Sequence, residues 1–204
     1  MTPARASIPE LTEEELDALK GYISPTVLRL VESGQNEYLG ETRPLTVMFI
    51  NLPDIRPSGA LKDDQAIVAT LQGSIFSRGG QINKLSVDEK GVSALVIFGL
   101  PPFVLEDVPL AAMEAARDVH QRMSQDDKRS KIGVTTGTVF CGLIGSDERK
   151  EFTVIGDSVN LAARLMQKSD YGILCDQPTW EGTETQFQYK ALKPLRLKGK
   201  SEKV

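Results

Sequence analysis

Asn160 and Arg164 stand four residues apart within Phe152-Thr-Val-Ile-Gly-Asp-Ser-Val-Asn-Leu-Ala-Ala-Arg-Leu165. On a helix that spacing projects both side chains from one face. A guanidinium presents a planar fork of donors that matches phosphate oxygens, and a carboxamide both donates and accepts. Side by side on a rigid helix, the pair suits a ligand that carries a phosphate and a ribose. Taken alone, a helix-borne arginine is ordinarily a solvated surface charge. The reading therefore rests on the sequence around the pair.

That sequence predicts a strand end running through Gly156 and a short helix over 159–166, capped by Asp157 or Ser158. Val159, Ala162, Ala163 and Met166 follow the i, i+3, i+4, i+7 rule and form the expected buried face. Upstream, Leu45 to Leu52 is a near-continuous run of β-formers, as in a strand buried on both faces. Residues 60–77 and 108–124 read as amphipathic helices. Between them, Gln81–Val87 and Val92–Phe98 flank Asp88-Glu89-Lys90-Gly91, a hairpin signature. A second hairpin is predicted from Lys131–Thr135 and Val139–Ile144 around Thr136-Gly137-Thr138, and further strands near Gly172–Cys175 and Phe187–Leu192. The order is that of an α+β fold (an α/β sandwich) with a ferredoxin-like β-α-β-β-α-β core and an additional C-terminal helix and strands. Residues 1–43 read as a helical N-terminal arm and linker. In it Thr12-Glu13-Glu14-Glu15 is a capping box, and Ser24-Pro25 starts a second helical turn that Ser33-Gly34-Gln35-Asn36 ends.

Composition narrows the function classes. The chain has 204 residues, with 24 Lys+Arg against 28 Asp+Glu and a formal charge of −4. It lacks the basic footprint of a nucleic-acid binder. Its apolar runs fall short of the ~18 residues of a membrane span, and its start has no signal-peptide core. Cys141 and Cys175 in such a chain read as buried reduced thiols, and the expected location is the cytoplasm. There is no Gly-x-x-x-x-Gly-Lys-Ser/Thr loop, and Gly137, Gly142 and Gly145 lack the dinucleotide spacing. His120 stands mid-helix with no Cys or second His nearby, so a zinc site is not expected and the residue reads as helix surface.

Glu151–Leu165 resembles the signature of the class III nucleotidyl cyclases, a Val-Ile-Gly-Asp-x-Val-Asn-x-Ala-Ala-Arg run. Three further stretches fall in that family's order: Leu45–Leu52, Gly79-Gly80-Gln81-Ile82-Asn83-Lys84 and Ile132-Gly-Val-Thr-Thr-Gly137. The resemblance covers about Pro44 to Lys203, and residues 44–204 are read as the cyclase homology domain. Within the family, Val139-Phe-Cys-Gly-Leu-Ile-Gly145 and the Glu-Leu-rich arm before Arg43-Pro44-Leu45 are similar to the second cyclase domain of the soluble, bicarbonate-responsive adenylyl cyclases. Leu197-Lys-Gly-Lys-Ser-Glu-Lys-Val204 resembles the lead into the fold's last strand, so the final strand reads as truncated.

The resemblance implies a site at the interface of two such domains, one giving metals and the other reading the nucleotide. It implies that Lys84 and Thr153 bind the adenine, that Asn160 orients the ribose, and that Arg164 meets the α-phosphate as charge builds on it. It also implies ATP as substrate, cyclic AMP and pyrophosphate as products, and Mg²⁺ or Mn²⁺ as cofactor. The departures concern the metal. Asn51 stands where the family's first metal Asp belongs and is a poor anchor for a hard divalent cation. Asp88 reads as a turn residue, and Asp54 could replace Asn51 only by shifting off the strand end. No metal ligand is therefore assigned in this chain. The expected function is an adenylyl cyclase half that is active when paired with a metal-bearing half, in the same polypeptide or another, with bicarbonate as a possible regulator. Two alternatives stand beside it: a catalytically silent nucleotide-sensing or dimerising module, and a homodimeric cyclase using Asp54 and Asp88.

Overall fold

The structure is a computed structural model that describes residues 10–34, 40–55, 61–146 and 149–193, without the side chains of 61–64. The chain start, residues 35–36 of the predicted loop and the run from Leu197 onward lie outside the described residues. Two helices lead in, α1 (Glu13–Lys20) and α2 (Pro25–Glu32). The capping box forms as its residue types require: Glu15 N–H donates to the Thr12 hydroxyl at 3.3 Å, and Thr12 N–H donates to the Glu15 carboxylate at 2.9 Å. Ser24 caps α2 and Pro25 occupies its first turn.

The domain runs β1 (Glu41–Leu52), α3 (Leu61–Phe76), β2 (Gln81–Asp88), β3 (Gly91–Phe98), α4 (Val108–Gln125), β4 (Lys131–Ser146), β5 (Arg149–Ile155), α5 (Asp157–Lys168), β6 (Ile173–Cys175) and α6 (Gln177–Glu181). The strands make one six-stranded sheet in the order β2-β3-β1-β4-β5, with β6 pairing parallel to β4. The first four strands and their two helices are the ferredoxin-like core that the element order predicts. Strand β1 begins at Glu41, before the apolar run, because Glu41–Pro44 pair with Cys141–Thr138.

Period-two alternation divides the core between the two faces of the sheet. Met48, Ile50, Val96 and Phe98 pack with Leu71 and Ile75 of α3 and with Ala112, Ala116 and Val119 of α4. Leu45, Val47, Ile97, Val139, Cys141 and Val154 pack on the other face with Ala162 of α5. On the second face α5 lies across β4.

Three expectations fail for identifiable reasons. Thr136-Gly137-Thr138 makes no turn: β4 is one strand of 16 residues, paired with β1 from Lys131 to Cys141. The true hairpin lies further on, where Ser146 pairs with Arg149. Gly137 serves a close approach instead, since a Cβ there would collide with the Ser158 hydroxyl. The segment Phe187–Leu192 forms no strand among its described residues. Phe187 and Tyr189 pack against the first core, and Tyr189 hydroxyl pairs with Thr183 hydroxyl. The buried seam of α5 is Leu161, Ala162 and Leu165, turned from the expected Val159, Ala162, Ala163 and Met166. Leu161 and Leu165 turn toward Leu174 of β6, a strand that sequence periodicity on α5 cannot see.

At Gly133 the backbone of α5 comes against that of β4. A Cβ there would overlap the Ala162 carbonyl oxygen and stand 2.5 Å from the Met166 amide nitrogen. Neither helix atom can rotate away, whereas the Ser158 hydroxyl that faces Gly137 can. Gly133→Ala should therefore cost about 1–3 kcal/mol, the range of an overpacked core, and Gly137→Ala clearly less. Urea unfolding of the two variants checks the order. Equal losses would mean that α5 shifts freely over β4.

Candidate active site

The start of α5 is fixed by β4. Thr135 hydroxyl donates to the Ser158 carbonyl at 2.8 Å, and the glycine at 137 leaves room for the Ser158 side chain. Neither Asp157 nor Ser158 caps the helix. The N-cap position is Gly156, which makes no side-chain cap bond, and both residues lie inside the first turn. Val139 explains the glycine: a Cβ at 156 would come within 2.9 Å of its methyl group.

With Leu161, Ala162 and Leu165 turned inward, Asn160 is exposed and Arg164 half-buried on the opposite side of α5. The two share that side at the spacing the sequence predicts. Lys84 lies exposed on β2, and Thr153 half-buried on β5 opposite Gly142. These two strands share no ladder, yet the Asn83 amide donates to the Phe152 carbonyl at 3.2 Å. Lys84 and Thr153 are the next residues along the chain from the two ends of that bond. Asn83 itself was missed by sequence reasoning. Its type carries no signal, because its partner lies 69 residues further along the chain.

The position that the resemblance gives to a metal ligand is bonded in a different way. Asn51 is buried, and its amide donates to the Lys90 carbonyl at 3.1 Å, the Ser93 hydroxyl at 3.0 Å and the Val92 carbonyl at 3.4 Å. Two of those partners are carbonyls that only accept, so the nitrogen must face them. A divalent ion would need an oxygen there. Asp88 accepts from Lys90 N–H at 2.7 Å and shapes the turn of the β2–β3 hairpin. Asp54 receives the Arg129 backbone N–H at 2.8 Å and the Arg129 Nε–H at 3.0 Å from both carboxylate oxygens, with Nη2 closing a fork. Among the described residues no three His, Cys, Asp or Glu gather as metal ligands. Among the described residues, Asn51, Asp54 and Asp88 as they are bonded here do not fit a dinuclear Mg²⁺ site.

Other candidate groups have structural roles. His120 Nδ1 pairs with the Ser130 hydroxyl at 2.8 Å, which ties α4 to the entry of β4. Both cysteines are free thiols, and burial pushes the half-buried Cys175 up to about 11. Asp176 caps α6, accepting from Thr179 N–H at 3.2 Å and from its hydroxyl at 2.6 Å. Burial raises its carboxyl above the ordinary value against those bonds. No helix among the described residues is long and apolar enough to cross a membrane.

The profile of the family "Adenylate and Guanylate cyclase catalytic domain" matches residues 41–204. The chain belongs to that family. The cyclase domain is 36% identical over 191 residues to human adenylate cyclase type 10, covering 89% of this chain and 12% of that protein. It spans only about an eighth of such relatives, whose whole activity therefore does not transfer with the match. Its fold also superposes on the adenylyl cyclase CyaB from P. aeruginosa, with a TM-score of 0.72 and 22% identity over 81% of this chain and 92% of that one. A rhodopsin-guanylyl cyclase with converted specificity, in complex with ATPαS, gives a TM-score of 0.69 and 20% identity over 80% of this chain and 94% of that one. Adenylyl and guanylyl cyclases thus share the fold, and the choice of base has to come from individual side chains.

The Asp54–Arg129 fork predicts an acid response. Hydrogen bonds from Arg129 hold the Asp54 carboxyl at about 2, below its ordinary 3.8. A depressed carboxylate adds stability above its unfolded value and loses it as pH falls through the folded one. The cyclase domain should be more stable than Asp54→Asn at pH 7, by up to ~1 kcal/mol for so exposed a pair. The difference should close between about pH 4 and pH 2, as parallel denaturation curves would read. A difference unchanged down to pH 2 would mean that the fork does not persist in solution.

Proposed function

We propose that this cyclase domain is the nucleotide-reading half of an adenylyl cyclase, which turns ATP into 3′,5′-cyclic AMP and pyrophosphate when paired with a half that carries the metal site. The observation that carries the reading is the contrast between two positions. Asn160 and Arg164 stand ready on α5, while Asn51 spends its amide on carbonyls where a metal ligand would need a free oxygen. A domain that merely dimerised would have no use for the first pair.

The roles follow from donor chemistry. The Lys84 ammonium only donates, which suits an unprotonated adenine ring nitrogen and opposes the protonated ring nitrogen of guanine. Thr153 offers a hydroxyl to the same base. Asn160 holds the ribose so that its 3′-oxygen lines up with the α-phosphorus. As that oxygen gives its proton to solvent and bonds to phosphorus, the bond to the β-phosphate oxygen breaks and pyrophosphate leaves with that electron pair. Charge grows on the phosphoryl oxygens during that exchange, and the Arg164 fork is the donor held for it. The divalent ions, Mg²⁺ or Mn²⁺, belong to the partner half, and bicarbonate is a regulator to be tried on the assembled pair.

Arg164 should act on rate more than on binding. Losing one preorganised donor to a transition state typically costs about 10²–10³-fold in turnover. In the paired enzyme Arg164→Ala should lower kcat and kcat/KM together and leave KM for ATP nearly unchanged. Arg164→Lys should behave alike, because the planar fork is lost. A kcat within about threefold of the parent, far short of that cost, would make Arg164 a surface charge and remove the assignment.

Base choice has its own check. Lys84→Glu with Thr153→Cys should raise activity on GTP relative to ATP, since the glutamate accepts from the guanine ring N–H. An unmoved ATP:GTP ratio would mean that neither residue touches the base.

A further inference from the structure

Lys84 should be on the wrong face of the sheet. In a regular strand residues 82 and 84 point the same way, and Ile82 packs into the core under α3 and α4. The β2–β3 ladder slips at this point: Ile82 pairs with Val96, and Lys84 pairs with Leu95, leaving Asn83 as the extra residue of a bulge. Directly opposed residues share a face. Val96 belongs to the core beneath α3 and α4, whereas Leu95 packs against the core beneath α5. One inserted residue therefore transfers Lys84 to the face on which α5 carries Asn160 and Arg164.

The inserted residue also has a contact of its own. Asn83 donates its amide to the Phe152 carbonyl of β5 at 3.2 Å, across a gap that no strand ladder closes. Bulges near functional sites re-aim side chains, and this one both re-aims a lysine and clips its strand to the strand of Thr153. We propose that Asn83 is a specificity-determining positioning residue, which sets the spacing of Lys84 and Thr153 so that the two read one purine base together. The inference rests on the base-reading roles given above and deepens them.

The test uses the cyclase domain assembled with a cyclase half that carries both metal aspartates. Asn83→Asp keeps the size and the bulge but turns a donor into an acceptor that repels the Phe152 carbonyl. Asn83→Ala removes the donor without adding charge and serves if the first variant folds poorly. Loss of one such hydrogen bond corresponds to a change of about three- to tenfold. KM for ATP should rise by that factor, and the ATP:GTP ratio of kcat/KM should fall by a similar one. Turnover at saturating ATP should stay within about twofold, the pattern of lost ground-state binding. A merely structural role would instead lower the melting temperature and kcat without moving the base ratio, and that outcome overturns the proposal.

Lys84→Ala, measured in parallel, separates the two levels of the account. If it raises KM and relaxes base choice while both Asn83 variants match the parent, the positioning role is wrong and the base-reading role stands. If Lys84→Ala itself changes neither quantity, the base-reading assignment fails and takes the Asn83 proposal with it.

Discussion

The backbone of α5 lies against β4 so closely that position 133 has no room for a side chain, and position 137 has room only for the hydroxyl of Ser158. This contact sets the rest of the site. Because Gly133 and Gly137 admit the helix, Leu161 and Leu165 reach Leu174 and Ala162 reaches the second core. With that seam committed, Asn160 and Arg164 are left on the outer side of the helix. Thr135, between the two glycines, pins the helix start through the Ser158 carbonyl. A long β4 is required for this, since its first half carries β6 and its second half carries β5 while β1 runs along its other edge. Helix α5, strand β5 and central strand β1 are therefore positioned by one element.

Electrostatics at the end of β1 follow a different logic. Asn51 is buried at the root of the β2–β3 hairpin, where the acceptors around it call for a donor. An aspartate at that position would face two carbonyls without a cation between them, an uncompensated buried charge. The neutral amide resolves this by closing the hairpin, and the nearby Asp54 is taken up by Arg129. Stability and metal binding compete for the same few atoms here, and the structure uses them for stability.

Much of this was legible in the sequence where the signal is local. The Thr12 capping box, the Asp88 turn and the two long helices follow from side chains that act within four residues of their own backbone. The spacing of Asn160 and Arg164 is of the same kind. What escaped depends on partners far along the chain. Thr136-Gly137-Thr138 carries turn-like residues, but β1 pairs across it and α5 needs its glycine. Asp157 and Ser158 are good caps by type, yet the approach of α5 to β4 draws both into the helix. Asn83 looks like any polar strand residue until β5 comes beside it.

The claim that this domain reads the nucleotide but holds no metal is tested most directly by a mixing assay. Cyclic AMP formation would be measured with the chain alone, and again with a cyclase half carrying both metal aspartates, on Mg-ATP and on the more forgiving Mn-ATP. The account predicts no turnover from the chain alone at high concentration and turnover on mixing. Robust turnover by the chain alone would contradict it and make Asp54 and Asp88 metal ligands after all. ATP-analogue binding on mixing, without product, would mark a nucleotide-sensing module instead.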